Sequence, residues 1–262
     1  MSAILICSTP VHGHVTPLLA VAEHLVSAGH RVRFLTGAKY RCAVEETGAT
    51  HLALPAGADY DDSDMDVAFP GRVGKSGVAG IRWDISNIFF KPAKEQFHAL
   101  EAALAQEITD AILTEGMFVG TGALLARPRN LRPAVVHLGI IPLGLGSVDT
   151  APYGLCLLPK PGLAGRARNA MLGFATKKLL FGSLQKELDA ILLSLTGKKF
   201  TIFFMDGAAQ ADAIVQALAG EDVLVVVSTG GRDIATFEAP LPANVRVAAY
   251  LPHDLLLPLT SV

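Results

Sequence analysis

Two histidines flank a glycine at His12-Gly13-His14, between an apolar run and a helix-like pattern near the start of the chain. The run from Ala3 to Ser8 has the unbroken hydrophobicity of a strand covered on both faces. Pro17 opens the pattern that follows, a first helical position where a missing N–H costs nothing. His14 is therefore expected just ahead of a helix N-terminus, where free backbone N–H groups point outward. A neutral imidazole there can take a proton at about neutral pH, which is what activating an alcohol requires. Two solvated loop histidines, or one bonded at the helix entry, would leave the same pattern. The turn is not GxGxxG, so it offers no pyrophosphate cradle, and a nicotinamide-dependent oxidoreductase loses its main support.

A partner for such an imidazole follows the apolar stretch Ala111 to Thr114, in the loop Glu115-Gly116-Met117-Phe118. A carboxylate at the carboxyl end of a strand can bond the second ring nitrogen and hold one tautomer. A solvated loop glutamate reads equally well from pattern alone. Asp110, at the other end of that stretch, reads as a strand-start or capping residue. Gly139-Ile140-Ile141-Pro142-Leu143 offers an oily wall for a hydrophobic ligand, or packs under a neighbouring loop. Trp83, Phe89 and Phe90 are further wall candidates, although aromatics at this spacing also suit a core. Asp59, Asp61, Asp62, Asp64 and Asp66 lie in the acidic, aperiodic stretch 59–80, read as a mobile loop with solvated charges rather than a metal site.

The elements that must position these residues alternate. Ala3 to Thr36 reads as strand, helix, strand, with the helix closed by Gly29. A helix over Lys39 to Thr47 and a strand end at Leu52 to Leu54 follow. Pro92 to Ala105 is helical, Ala111 to Thr114 and Ala134 to Leu138 are buried strands, and Gly165 to Leu195 is a long helical stretch interrupted at Gly173. Phe200 to Met205 reads as a strand, Ala208 to Leu218 as a helix, and Val223 to Ser228 and Val245 to Ala249 as strands. The fold class is therefore α/β, a Rossmann-like doubly wound parallel sheet. Such sheets bind ligands beyond the carboxyl ends of their strands, here the loops after Ser8, Thr114, Leu138 and Ser228.

Composition narrows the function. Of 262 residues, 51% are hydrophobic and 18% charged, and the formal net charge is -2. That balance gives no electrostatic footprint for nucleic acid or an anionic membrane. Cys7, Cys42 and Cys156 have no CxxC spacing and read as reduced thiols, with Cys7 in the core. The first residues lack the basic region of a signal peptide, and no apolar run approaches the ~18 residues needed to span a bilayer. A cytoplasmic protein without a membrane span is expected.

Three segments carry a resemblance: STPVHGHVTPLLAVAEHLVSAGHRVRFLTG, RPAVVHLGIIPLGLGSVDTAPYG and STGGRDIATFEAPLPANVRVAAYLPHDLLLP. They resemble the family 1 nucleotide-sugar glycosyltransferases, in particular the bacterial macrolide and flavonoid type, and the similarity runs over nearly the whole chain. The resemblance implies a GT-B fold of two Rossmann-like domains, the first binding acceptor and the second the nucleotide sugar. It places the acceptor domain at 1–216 and part of the donor domain at 217–262. His14 falls on the histidine of the family's GHxxP motif, the general base of an inverting displacement. Glu115 falls where the family usually has an aspartate.

His12, Trp83, Phe89, Phe90, Met117, Ile140, Ile141 and Pro142 would line the acceptor site. Thr229, Gly230 and Gly231 would hold the donor, with Tyr250 stacked on its base and His253 beside it. The implied partners are a nucleotide-diphosphate sugar as co-substrate and a hydrophobic, hydroxylated small molecule, with no metal and no other cofactor. The resemblance further implies a linker and a first donor-domain strand between Gln216 and Ala217, and glycine-rich and acidic donor segments beyond Val262. A chain without these is expected to bind donor poorly and to be inactive. The alternative in another class is a non-catalytic small-molecule-binding or auxiliary protein with the GT-B acceptor fold.

Overall fold

The computed structural model describes residues 1–140, 148–152, 155, 157–160, 162–198, 203–207, 225–228 and 242–248. The chain divides into two compact units, Met1–Ala208 and Ala209–Val262.

The first unit is built on a five-stranded sheet in the order β3-β2-β1-β4-β5. The strands are β1 (Ala3–Cys7), β2 (Arg31–Thr36), β3 (Thr50–Ala53), β4 (Ala111–Glu115) and β5 (Ala134–Leu138). Every pairing is parallel. Helices cover both faces, so both sets of alternate side chains on β1 must be apolar. Ile4 and Ile6 pack with Val15, Leu18, Ala22 and Leu25 of α1 (His12–Ser27) and with Val44 of α2 (Arg41–Glu46). Leu5 and Cys7 face the opposite core, with Phe90, Phe97, Leu100, Ile112, Phe118, Leu184 and Leu188. Burial pushes the Cys7 thiol far up, which leaves it a small core hydrophobe. At the amino ends of β1 and β4, the Ala3 N–H donates to Asp110 Oδ2 at 2.7 Å while the Asp110 N–H donates to the Ala3 carbonyl at 2.8 Å. Asp110 is thus a strand-start clamp.

Four elements depart from the sequence expectation. Helix α1 begins at His12 instead of Pro17, so Pro17 lies inside it. The lost proline N–H frees only the carbonyl of Gly13, which is exposed and can be hydrated. Residues 59–80 are not an unstructured loop: they hold α3 (Met65–Ala68), a 3-10 turn Pro70–Arg72 and the start of α4 (Gly77–Asp84). Asp64 caps α3 by accepting the Asp66 and Val67 N–H groups, and Arg72 bridges Asp66 and Asp84.

The long helical stretch breaks later than Gly173. Helix α7 (Gly162–Phe174) passes into a π-helical turn Ala175–Leu180, and α8 (Gly182–Thr196) starts anew after Phe181 leaves helical geometry. The expected strand Phe200 to Met205 is replaced, where described, by the short helix α9 (Phe204–Gly207). The Phe204 N–H is satisfied by the Gln185 side chain at 2.9 Å instead of a sheet partner.

Helix α5 (Ala93–Gln106) crosses α6 (Gly120–Leu125) at a point that admits no side chain. A Cβ at Gly120 would stand 2.6 Å from Gln96 Cβ and 2.7 Å from the Phe97 backbone nitrogen. The Gly120→Ala variant is expected to lose about 1–3 kcal/mol through overpacking. Chemical denaturation of wild type and variant checks this, and an unchanged midpoint would contradict it.

In the second unit the described residues form β6 (Val225–Ser228) and β7 (Val245–Ala248), paired in parallel with Val225 opposite Val245. The expected helix Ala208 to Leu218 lies outside the described residues. Among the described residues no helix is long and apolar enough to cross a membrane.

Candidate active site

The sheet order reverses direction between β1 and β4, the point beyond whose strand carboxyl ends sheets of this kind bind their ligands. Both sequence candidates for acid-base chemistry sit there. Beyond β1 the chain passes through Ser8 and Thr9, both wholly buried, before turning into α1. Strand β4 runs one residue further than its apolar pattern and ends in Glu115, aligned opposite Leu138 of β5.

Glu115 is 0% exposed, which overturns its reading as a solvated loop residue. A carboxylate cannot be buried unless its lone pairs are met. Here Oε1 accepts the Thr9 N–H at 3.1 Å and Oε2 accepts the Met117 N–H at 2.6 Å. The Thr9 hydroxyl donates to the Met117 carbonyl at 3.2 Å and completes the stitch between the two loops.

His14 lies in the first turn of α1, and its Nδ1 stands 3.0 Å from Glu115 Oε2. The approach is off the line of a well-formed hydrogen bond, because the ring N–H does not aim squarely at the oxygen. Contacts of this kind tighten when a substrate fixes the ring. A proton held at Nδ1 by the carboxylate leaves the lone pair on Nε2, the nitrogen free to act as a base. The His14 side chain is 13% exposed. Phe89 lies 5.6 Å away between ring centroids, tilted by 35°. It projects from a second π-helical turn, Ile85–Phe90, which continues α4.

The other aromatic candidates separate. Phe90, the next residue, is 2% exposed and packs edge-on against Phe204 at 5.2 Å. It is a core residue and not a ligand wall, since adjacent residues on a helical turn point to different sides. Trp83 stands edge-on to Phe69 at 6.1 Å, with Lys75 over its ring. It lines a shallow groove of about 350 Å³ with Arg82, Ser86 and Glu187. Met117 contributes its backbone to the Glu115 stitch, and Ile140 packs against the α1-side core. The His12 ring is exposed beside Thr16, with Nδ1 3.4 Å from its hydroxyl. Ile141, Pro142, Thr229, Gly230, Gly231, Tyr250 and His253 lie outside the described residues, as does Cys156.

Two neighbours escaped the sequence reading. Asp62, from the stretch read as solvated, has a side chain only 5% exposed. Its Oδ2 accepts the His12 N–H at 2.6 Å, and its Oδ1 receives Lys39 Nζ and the Tyr40 hydroxyl, each at 2.7 Å. Burial raises the pKa of Asp62, but the bonds from Lys39, Tyr40 and His12 outweigh it, and the net shift is downward. Tyr60 buries its hydroxyl without a hydrogen-bond partner among the described residues. Burial, then the charges of Asp62 and Glu115, push that phenol well up. Neither signal is local: a partner fifty residues away leaves no spacing to find. His137, on β5 opposite Thr114, is held below the usual histidine range by burial, and Glu115 pulls the other way.

Comparisons with known proteins give the family. The glycosyltransferase family 28 N-terminal domain matches residues 11–138, a span that contains both His14 and Glu115. UDP-glucosyltransferase B1 of Starmerella bombicola is 32% identical over 328 residues, covering 99% of this chain and 76% of that protein. The chain belongs to the family 1-type glycosyltransferases. It is also 29% identical to 4'-demethylrebeccamycin synthase of Lentzea aerocolonigenes, covering 97% of this chain and 75% of that enzyme. A solved structure, the glycosyltransferase of kitacinnamycin, is 16% identical with a TM-score of 0.49, covering 98% of this chain and 73% of that one. The stretch of 328 residues matched in UDP-glucosyltransferase B1 exceeds the 262 of this glycosyltransferase, so that relative carries residues without a counterpart here. Where the family resemblance leads to an aspartate, this glycosyltransferase has the longer Glu115, which spans two backbone amides and lies 3.0 Å from His14 Nδ1.

Proposed function

We propose that this glycosyltransferase moves a sugar from a nucleoside-diphosphate sugar to a hydroxyl of a hydrophobic natural product, such as a flavonoid or macrolide, with inversion. The observation that carries the reading is the His14–Glu115 pair, an imidazole with one nitrogen 3.0 Å from a wholly buried carboxylate. Nε2 of His14 takes the proton of the acceptor hydroxyl. That oxygen attacks the anomeric carbon from the face opposite the diphosphate, and the diphosphate leaves with the bonding pair. Glu115 keeps the imidazole in the reactive tautomer and stabilises the imidazolium that forms. Placement of the two reactants and exclusion of water supply much of the acceleration.

In this reading residues 1–216 bind acceptor, with Phe89 beside the base and His12, Trp83, Met117, Ile140, Ile141 and Pro142 as further wall residues. Residues 217–262 belong to the donor domain, with Thr229, Gly230, Gly231, Tyr250 and His253 at the nucleotide sugar. The relative named as a UDP-glucosyltransferase supports a uridine nucleotide, and the one named as a rebeccamycin-type synthase supports a natural-product acceptor.

The test uses the full-length enzyme with an α-linked nucleotide sugar and a panel of phenols and macrolides. Proton NMR of the product should show a β-linkage. An α-linked product would overturn the single displacement, and transfer to no hydroxylated acceptor would overturn the substrate class.

A further inference from the structure

We infer that Asp62 is a positioning residue for catalysis: its carboxylate holds the turn His12–Thr16 in the helix and so sets His14 against Glu115. This rests on the reading of His14 as the base, but the hold on the turn is measurable without turnover.

The turn has little helical stability of its own. Val11 stands at the N-cap position without a capping side chain, and the first turn contains no acidic residue. Gly13 is a weak helix former. Pro17 cannot donate to the Gly13 carbonyl and would itself be a natural first residue of a helix starting five positions later. In that shorter helix His14 would lie in an irregular segment, without a helical backbone to aim its ring at Glu115. The longer helix starts because a distant side chain supplies what the local sequence omits. Asp62 Oδ2 accepts the His12 N–H at 2.6 Å, at the end of the helix where a negative charge is favoured.

Asp62 is itself held firmly. Lys39 and Tyr40 each donate to its Oδ1 at 2.7 Å, and both lie in the 3-10 turn Ala38–Tyr40 that follows β2. The carboxylate thus ties the start of α1 to the sheet through a path separate from the Glu115 stitch. Lys39 also reaches the exposed Asp61 at 3.0 Å, and that contact touches no part of the His12–Thr16 turn.

Hydrogen exchange of this chain reads the first half of the inference. The amides of His14 and Val15 bond to the Val11 carbonyl at 2.8 and 2.9 Å. In Asp62→Ala they should exchange at least about tenfold faster, while β1 and β4 stay protected. Asp62→Asn keeps an oxygen for the His12 N–H and should fall between the two, and it remains informative should the alanine variant fold poorly. Asp61→Asn should exchange like wild type. Unchanged protection of His14 and Val15 in both Asp62 variants would overturn the proposal.

The second half is read in the full-length enzyme. There kcat of Asp62→Ala should fall about 10- to 100-fold with little change in either KM, the pattern of a displaced base. Wild-type kcat in Asp62→Ala, with His14→Ala inactive, would overturn the positioning role while leaving the base in place. Activity in His14→Ala would instead remove the base itself, and the hold on the turn would then stand or fall on exchange alone.

Discussion

Replacing His14 by alanine in the full-length enzyme is expected to lower kcat by about 100- to 10,000-fold, the range that one positioned general base supplies. The acceptor hydroxyl is a poor nucleophile while protonated, and the fold sets the His14 Nδ1 3.0 Å from a buried carboxylate at the switch point of the sheet. His12, two residues away, is exposed and bonded only loosely to Thr16, so it does not stand in. KM for both substrates should change little, because the lost interaction belongs to the transition state. The variant should fold, since Glu115 keeps its bonds to Thr9 and Met117. Initial rates at saturating substrates, with a thermal melt as control, make the measurement. A wild-type kcat would remove the base from the mechanism.

The second large effect is expected at Glu115, where stability and rate should fall together. Glutamine has nearly the same shape, yet it brings an NH2 group into a site where the Thr9 N–H donates to one oxygen and the Met117 N–H to the other, with His14 Nδ1 3.0 Å from the second. Whichever way the amide turns, two donors oppose each other in a place closed to bulk solvent. Glu115→Gln should cost about 2–4 kcal/mol, the range for buried polar groups left unpaired. Its kcat should fall by about 100-fold or more, because the imidazole loses the charge that stabilises its protonated form. Glu115→Asp keeps the charge but cannot span both amides and still reach His14, so a smaller loss on both counts is expected. Denaturation midpoints and kcat for the pair of variants test this. A glutamine variant as stable as wild type would show that the stitch is not the reason for the burial.

The sheet was legible because its strands are short, apolar and separated by helical patterns, as at Ala3 to Ser8 and Ala134 to Leu138. His14 was legible because the strand-to-helix turn carrying it is local. Glu115 was half legible: its position after an apolar stretch was plain, but its burial depends on amides from two loops, one of them a hundred residues away in sequence. Asp62 was missed for the same reason, and the start of α1 with it. Local chemistry at Pro17 favours one beginning, and a long-range carboxylate imposes another. Phe90 was misassigned to a ligand wall because aromatic composition does not tell which side of a π-helical turn a ring takes. The strand expected at Phe200 to Met205 failed where the Gln185 side chain takes up the Phe204 N–H.

The parallel pairing of β1 with β4 sets Ile4 beside Ala111, whereas β1 meets β2 through the much nearer Val32. Closing the longer loop costs more chain entropy, so the first strand–helix–strand unit can assemble before β4 arrives. On that order the segment carrying the histidine joins the sheet early in the life of the polypeptide, and the carboxylates that set it, Asp62 and then Glu115, come later. A partly folded or newly emerging chain would then carry the imidazole without its counter-charge, and chemical competence would mark the completion of folding.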